Sequence, residues 1–187
     1  MKKVFTLKNI ILLVAALIGV VMFAVSFAIK VDIAAPGGTG AFKGLIWGCT
    51  KAELNGEEGP VIYLLGLQKL SANLFGLLGV ILVLVAAVVL CLAVFLIKNQ
   101  KIAKILVLVA AGLLLIGGIF QLLILPSLKS SLYHGYVNAG ADPADAKAES
   151  ELIIQYCHLS AGSIVCGAFT FAAAVASAVA AFLPEKK

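Results

Sequence analysis

Hydrophobic positions in this chain come in unbroken blocks, not at the spacing of an amphipathic helix or the alternation of a half-buried strand. Four blocks reach the length, about 20 residues, that a helix needs to cross about 30 Å of hydrocarbon. They run from about Ile10 to Ile29, Leu74 to Ile97, Ile102 to Leu125 and Leu159 to Leu183. Open strands cannot cross lipid because their backbone groups go unpaired, so the blocks predict helices. Apart from Lys104, near the start of the third, no charged residue lies in any of them. Two long loops, about 30–73 and 126–158, and one very short turn connect the blocks. The expected fold is all-α and integral to the membrane: a single domain, 1–187, built as an antiparallel four-helix bundle.

The loops carry patterns of their own. In the first, the run Ala35-Pro36-Gly37-Gly38-Thr39-Gly40 is turn or irregular chain. Asn55-Gly56 and Glu58-Gly59-Pro60 are further turn signals, and Asn-Gly in particular predicts a small β element. Val61 to Leu67 reads as a short strand or as the start of the second helix. In the second loop Pro126 ends or kinks the third span, after which Leu128, Leu132, Tyr133, Tyr136 and Val137 recur at helical spacing. Asn138 to Ala141 stops that segment, Asp142 is a good N-cap, and Pro143 suits the first helical position. From Pro143 the pattern meets no breaker through Leu152, Ile153 and Tyr156 into the last span. It predicts a final helix of about forty residues, on the order of 60 Å, paired with 127–139 as an extracellular hairpin.

Composition narrows the class. Of 187 residues 63% are hydrophobic and 12% charged, against about 45–50% and about 25% in soluble domains, and mean hydropathy is +1.14. That excludes a soluble enzyme domain, a disordered tail and a disulfide-stapled secreted module. All 14 basic residues are Lys, which lacks the planar fork that reads phosphates and bases, so nucleic acid is not an expected partner. Lys2, Lys3 and Lys8 precede the first span, Lys98, Lys101 and Lys104 crowd the short turn, and Lys186 and Lys187 close the chain. In the loops, acids match or outnumber lysines. The positive-inside rule therefore predicts a multi-pass protein of the plasma membrane with both termini cytoplasmic and both long loops outside. The first apolar run exceeds the usual length of a signal-peptide core and reads as a retained anchor.

Within the bilayer, close packing of small residues drives association. The last span, with Ser160-Ala161-Gly162-Ser163, Gly167-Ala168 and the Ala172 to Ala181 stretch, is small on nearly every face and is expected against neighbours instead of lipid. Ala15 with Gly19, Gly76 with Gly79, and Gly117-Gly118 are local small patches on the others. Gln121 is the most polar side chain inside a span and is expected to hydrogen-bond between helices.

Candidate chemistry is sparse. The aromatic-rich run Phe42 to Cys49 holds the only Trp, Trp47, and with Tyr133 and Tyr136 supplies partner-binding or interfacial residues. His134 and His158, with Cys157 and Glu151 nearby, lack the spacing of metal ligands and would lie several turns apart, so no metal or cofactor is expected. Cys91 and Cys166 lie within spans as buried thiols. Cys49 and Cys157 both fall outside, where a disulfide would tie the two loops together. No titratable group lies at mid-membrane, so no catalytic role and no coupled transport is expected.

The plan resembles the claudin-like family of four-span proteins in topology, with Gly44-Leu45-Ile46-Trp47-Gly48-Cys49 answering part of its first-loop motif. An upstream Trp and a second Cys are missing, so the adhesive or junctional role that this resemblance implies stands second. The Lys-only composition and the Phe-Lys-Gly run also resemble small uncharacterised four-span proteins of low-GC Gram-positive bacteria, a likeness that brings no activity. The expected role is non-catalytic: a binding, scaffold or accessory-subunit protein. It would meet a protein partner or a second copy through its outside loops or small-residue faces. A passive pore formed by oligomerisation is the remaining reading.

Overall fold

The structure, a computed structural model, describes residues 6–36, 38–48, 51–60, 72–97 and 99–183. Four helices are long and apolar enough to cross a membrane: α1 (Leu7–Val25), α2 (Leu74–Phe95), α3 (Gln100–Leu122) and a last helix, Ala161–Phe182. At 1.5 Å per residue they span roughly 28–35 Å, the thickness of the hydrocarbon layer. The chain is a multi-pass membrane protein. Between α3 and the last helix lie α4 (Ile124–Asn138) and α5 (Pro143–Gln155), so the last helix is α6.

The chain divides into two compact units. The first holds the described parts of Met1–Val25, Leu78–Ile119 and Cys166–Lys187. Its interior combines many small residues with a few large ones, such as Leu12, Val83, Leu90 and Leu114, while many other large apolar residues face out. Ala15, Ala16, Ala86, Ala87, Ala110, Ala173, Ala174 and Ala180 are buried, whereas Leu17, Val88, Ile105, Phe169 and Val175 are about half exposed or more. The glycines decide how closely the helices approach. A Cβ on Gly19 would lie 2.9 Å from Ala87 Cβ, and one on Gly117 would lie 2.7 Å from Val83 Cγ2 and 2.9 Å from the Gly79 carbonyl. Gly118 faces Gly167 and Thr170, and at the other end of the same pair Lys104 Nζ sits 4.2 Å over the Phe182 ring. These contacts make α3 antiparallel to both α2 and α6. The small-residue faces at Gly19, Gly117 and Gly118 are thus occupied within the chain.

Two expectations about the spans change. The last span is the most buried of the four, at 44% of its apolar window against 33–39% for the others, yet Val165, Phe169, Val175 and Val179 still form a lipid face. Gln121 is 1% exposed but makes no interhelical bond; its amide nitrogen and oxygen are both unpaired.

The second unit, Ser26–Leu77 with Phe120–Val165, corrects the all-α expectation. It holds a five-stranded antiparallel sheet in the order β4-β3-β2-β1-β5, made of β1 (Lys30–Ala35), β2 (Gly38–Lys43), β3 (Lys51–Leu54), β4 (Glu57–Pro60) and β5 (Cys157–Leu159). The Asn-Gly signal behaves as read: Asn55 and Gly56 take φ of +51° and +87° and join β3 to β4, the left-handed pair a tight hairpin needs. Asn55 also folds back on β2, its Oδ1 accepting from Thr39 N–H at 3.1 Å. The register aligns Val31, Phe42 and Ala52 across three strands, and all three are buried. The segment 61–67, read as strand or helix start, lies outside the described residues.

The predicted forty-residue final helix is two helices with a strand between them. α5 ends at Tyr156, and 157–159 pairs with β1: Val31 opposite Leu159, Asp32 opposite His158 and Ile33 opposite Cys157. Ala34 N–H also donates to Tyr156 O at 2.8 Å. Neither Gly nor Pro forces this break. Long-range pairing supplies hydrogen bonds to the backbone that continued helix would otherwise have provided. One local signal does mark the restart. Ser160 caps α6, its Oγ accepting from Ser163 N–H at 3.3 Å.

The glycine contacts predict that Gly117→Val overpacks the α2–α3 seam and costs about 1–3 kcal/mol. Gly112→Ala, whose Cβ meets nothing within 4 Å, should be neutral or slightly stabilising. Thermal melts of the purified variants in detergent compare the two; equal melting would contradict the seam.

Candidate functional site

The residues expected at an interface separate into two places. Phe42 is fully buried in the sheet and offers no surface to a partner, a correction that follows from its central place in the Val31–Phe42–Ala52 row. Trp47 is 39% exposed and stacks on Phe27, ring centroids 4.8 Å apart and planes within 5°. Phe27 lies in the 3-10 turn Ser26–Ala28, immediately after α1, so the aromatic pair stands where a membrane helix ends. On the α4–α5 hairpin, Tyr133 is half-buried and meets His134 edge-on at 5.2 Å. Tyr136 is buried; burial first, and the nearby Glu149 carboxylate second, push its phenol up to about 12.

The hairpin is built from strong local signals. Gly140, at φ +95°, closes α4 with its N–H on Val137 O, and Ala141 N–H reaches Tyr136 O. Asp142 Oδ1 caps α5 by accepting from Ala144 N–H at 2.8 Å, with Pro143 as first helical residue. Pro126 interrupts the third span four residues upstream, at the carbonyl its ring would clash with. α3 stops at Leu122 and Pro126 falls in the first turn of α4, where its missing N–H costs no helical bond. Lys129 Nζ meets Glu151 at 2.9 Å across the hairpin and holds that carboxyl below its usual range.

Two clefts flank α4. The larger, about 380 Å³, is lined by Pro126, Lys129, Ser130 and Tyr133 of α4 with Pro143, Lys147 and Ser150 of α5. The smaller, about 230 Å³, lies between the first turn of α2 and α4, against Ala72, Leu74, Phe75, Pro126, Ser127, Ser130, Ser131 and His134. The second cleft depends on Asn73, which pattern reading placed only as the end of a loop. Asn73 is fully buried. Its Oδ1 caps Gly76 N–H at 2.9 Å, its Nδ2 donates to Ile124 O at 2.8 Å, and its own N–H donates to Leu45 O at 3.1 Å. A single residue, through its side chain and its backbone N–H, thereby joins Leu45 and Ile124 to the start of α2. Its sequence signal was that of an Asn N-cap directly ahead of an apolar run.

The remaining candidates stay apart. His158 lies in β5 and His134 in α4, and among the described residues no group of three His, Cys, Asp or Glu could hold a metal. Cys91, Cys157 and Cys166 are free thiols. Cys49 lies outside the described residues. Comparison with protein-family models, curated proteins and solved structures gave no match.

Cys157 is 4% exposed, its Sγ–H donates to Ile153 O at 3.4 Å, and burial pushes the thiol up to about 11. In a variant with Cys49, Cys91 and Cys166 replaced by Ser, alkylation at pH 8 should run about a hundredfold slower than for an ordinary thiol, in proportion to thiolate. Gels of the unaltered chain should show no mobility shift on reduction; a shift that vanishes in Cys49→Ser would instead establish the Cys49–Cys157 bond.

Proposed function

We propose that the chain is a non-catalytic scaffold or accessory subunit of the plasma membrane that binds a protein partner on the outer face. The folding of two distant loops into one unit, whose hairpin carries a preformed cleft of about 380 Å³, carries this reading. A loop that merely connected two spans would need no buried core. Here Ile29, Val31, Phe42, Leu45, Ile46, Leu128 and Leu132 are buried to 1% exposure or less, so the surface above them is rigid before a partner arrives, which lowers the ordering cost of binding. The larger cleft offers the chemistry of a protein contact: a half-buried tyrosine, two prolines and two lysines. The Trp47–Phe27 pair, at the end of α1, acts as an anchor at headgroup level. Lysine placement sets the orientation, both termini inside and this unit outside.

Orientation is tested by single-cysteine variants in a background without native cysteines. A membrane-impermeant maleimide added to intact cells should label Ser130→Cys and leave Asn99→Cys untouched; the reverse pattern would invert the topology.

Partner binding is tested by photo-crosslinking in cells. A benzophenone side chain at Tyr133 or Lys147 should give a discrete crosslinked protein band, and the same group at lipid-facing Val85 should give none. Conductance in liposomes, with no band from either hairpin position, would replace the scaffold with a pore.

A further inference from the structure

The smaller cleft, between α2 and α4, combines donors that have no acceptor among the described residues. α2 is 22 residues long, and Asn73 caps only its third N–H, that of Gly76, while Leu77 N–H bonds Asn73 O. The N–H groups of Leu74 and Phe75 are left at the positive end of the helix dipole, and both residues line the cleft. The second observation is Ser127. It is 7% exposed, lines the same cleft, and among the described residues its hydroxyl has no hydrogen-bond partner; Ser131 Oγ–H bonds its backbone carbonyl. The hydroxyl opens on the cleft and is available to whatever occupies it. Ser130, Ser131 and His134 repeat along the same face of α4 and also line the cleft; no carboxylate does.

The geometry points to an oxyanion site that takes a phosphate group, held by the Leu74 and Phe75 N–H groups, the Ser127 and Ser130 hydroxyls and the His134 imidazole. A tetrahedral phosphate presents several acceptor oxygens to donors arriving from two helices, and a helix N-terminus favours its charge. The cleft adjoins the first turn of a membrane-spanning helix, so the group is carried either by a phospholipid headgroup or by a small soluble phosphate. The site does not rest on the proposed protein partner, although Pro126 and Ser130 line both clefts.

The test uses the full chain purified in dodecyl maltoside without phosphate. Inorganic phosphate is one probe. Mixed micelles carrying phosphatidylglycerol are the other, with a galactosyl diacylglycerol as the phosphate-free comparison. Binding should raise the melting temperature saturably, on the order of 3 °C. A response to inorganic phosphate assigns a soluble ligand, and a response to phosphatidylglycerol but not the galactolipid assigns the headgroup. In Ser127→Ala the dissociation constant should rise about tenfold, the loss of one charge-assisted hydrogen bond, while the ligand-free melting temperature holds because the hydroxyl has no partner among the described residues. Should Ser127→Ala fail to fold, the double variant Ser130→Ala/His134→Gln, at exposed positions, carries the same expectation for binding. No response to either probe, or a response undiminished in both variants, overturns the site.

Discussion

The antiparallel ladder between β1 and β5 is the constraint on which the second unit depends. It is three residue pairs long, yet it joins segments more than a hundred residues apart, and neighbouring bonds reinforce it. Ala34 N–H reaches Tyr156 O at 2.8 Å, and Ser163 Oγ–H reaches Lys30 O at 3.2 Å. Closing a loop of that length is entropically unfavourable, but the cost grows only slowly with length. The apolar row that the ladder completes offsets it. Leu159 sits opposite Val31, Val31 opposite Phe42, and Phe42 opposite Ala52. Without β5 the edge of β1 would present unpaired backbone groups, the usual liability of an edge strand.

The far edge is managed differently. β4 carries Glu57, Glu58 and Pro60, charges and a residue without an N–H that discourage further pairing. Lys43 bridges inward from β2 to Glu53 at 2.8 Å and to Glu58. These partners hold its ammonium charged well above the ordinary lysine range and hold Glu58 below the carboxylate range. Because Lys43 and Glu58 are exposed and Glu53 is only half-buried, the cluster acts as a register pin more than as a source of stability.

In the first unit, hydrophobicity cannot select between the inside of the protein and the lipid around it, so shape does. Glycine and alanine faces allow the helix backbones to approach, and many large aliphatic side chains turn outward. Thr170 answers its polarity locally, through Cys166 O at 2.8 Å. Ser177 does not. The second unit puts its polar groups to other use. Asn73 satisfies three backbone partners at once, while Ser127 and the first turn of α2 keep donors unpaired beside a cavity.

Much of this was legible along the chain because it is local. Four apolar blocks determined four membrane helices, since a helix satisfies its backbone hydrogen bonds within a single block and an open strand cannot. Asn55-Gly56 determined a hairpin, and Gly140, Asp142 and Pro143 determined where α4 ends and α5 begins, each through its own dihedral or capping preference. The rest required partners distant in sequence. Nothing in Tyr156-Cys157-His158-Leu159 forbids helix; that segment is a strand because β1 offers it a backbone ladder. Phe42 and Trp47, five residues apart and alike in character, part company because one falls in the buried row of the sheet and the other in the turn beyond it. The clefts were equally invisible, because they form where the first turn of α2, α4 and α5 meet. Local preferences therefore decided the membrane helices and the tight turns, and long-range backbone pairing and packing decided β5 and which side chains come together.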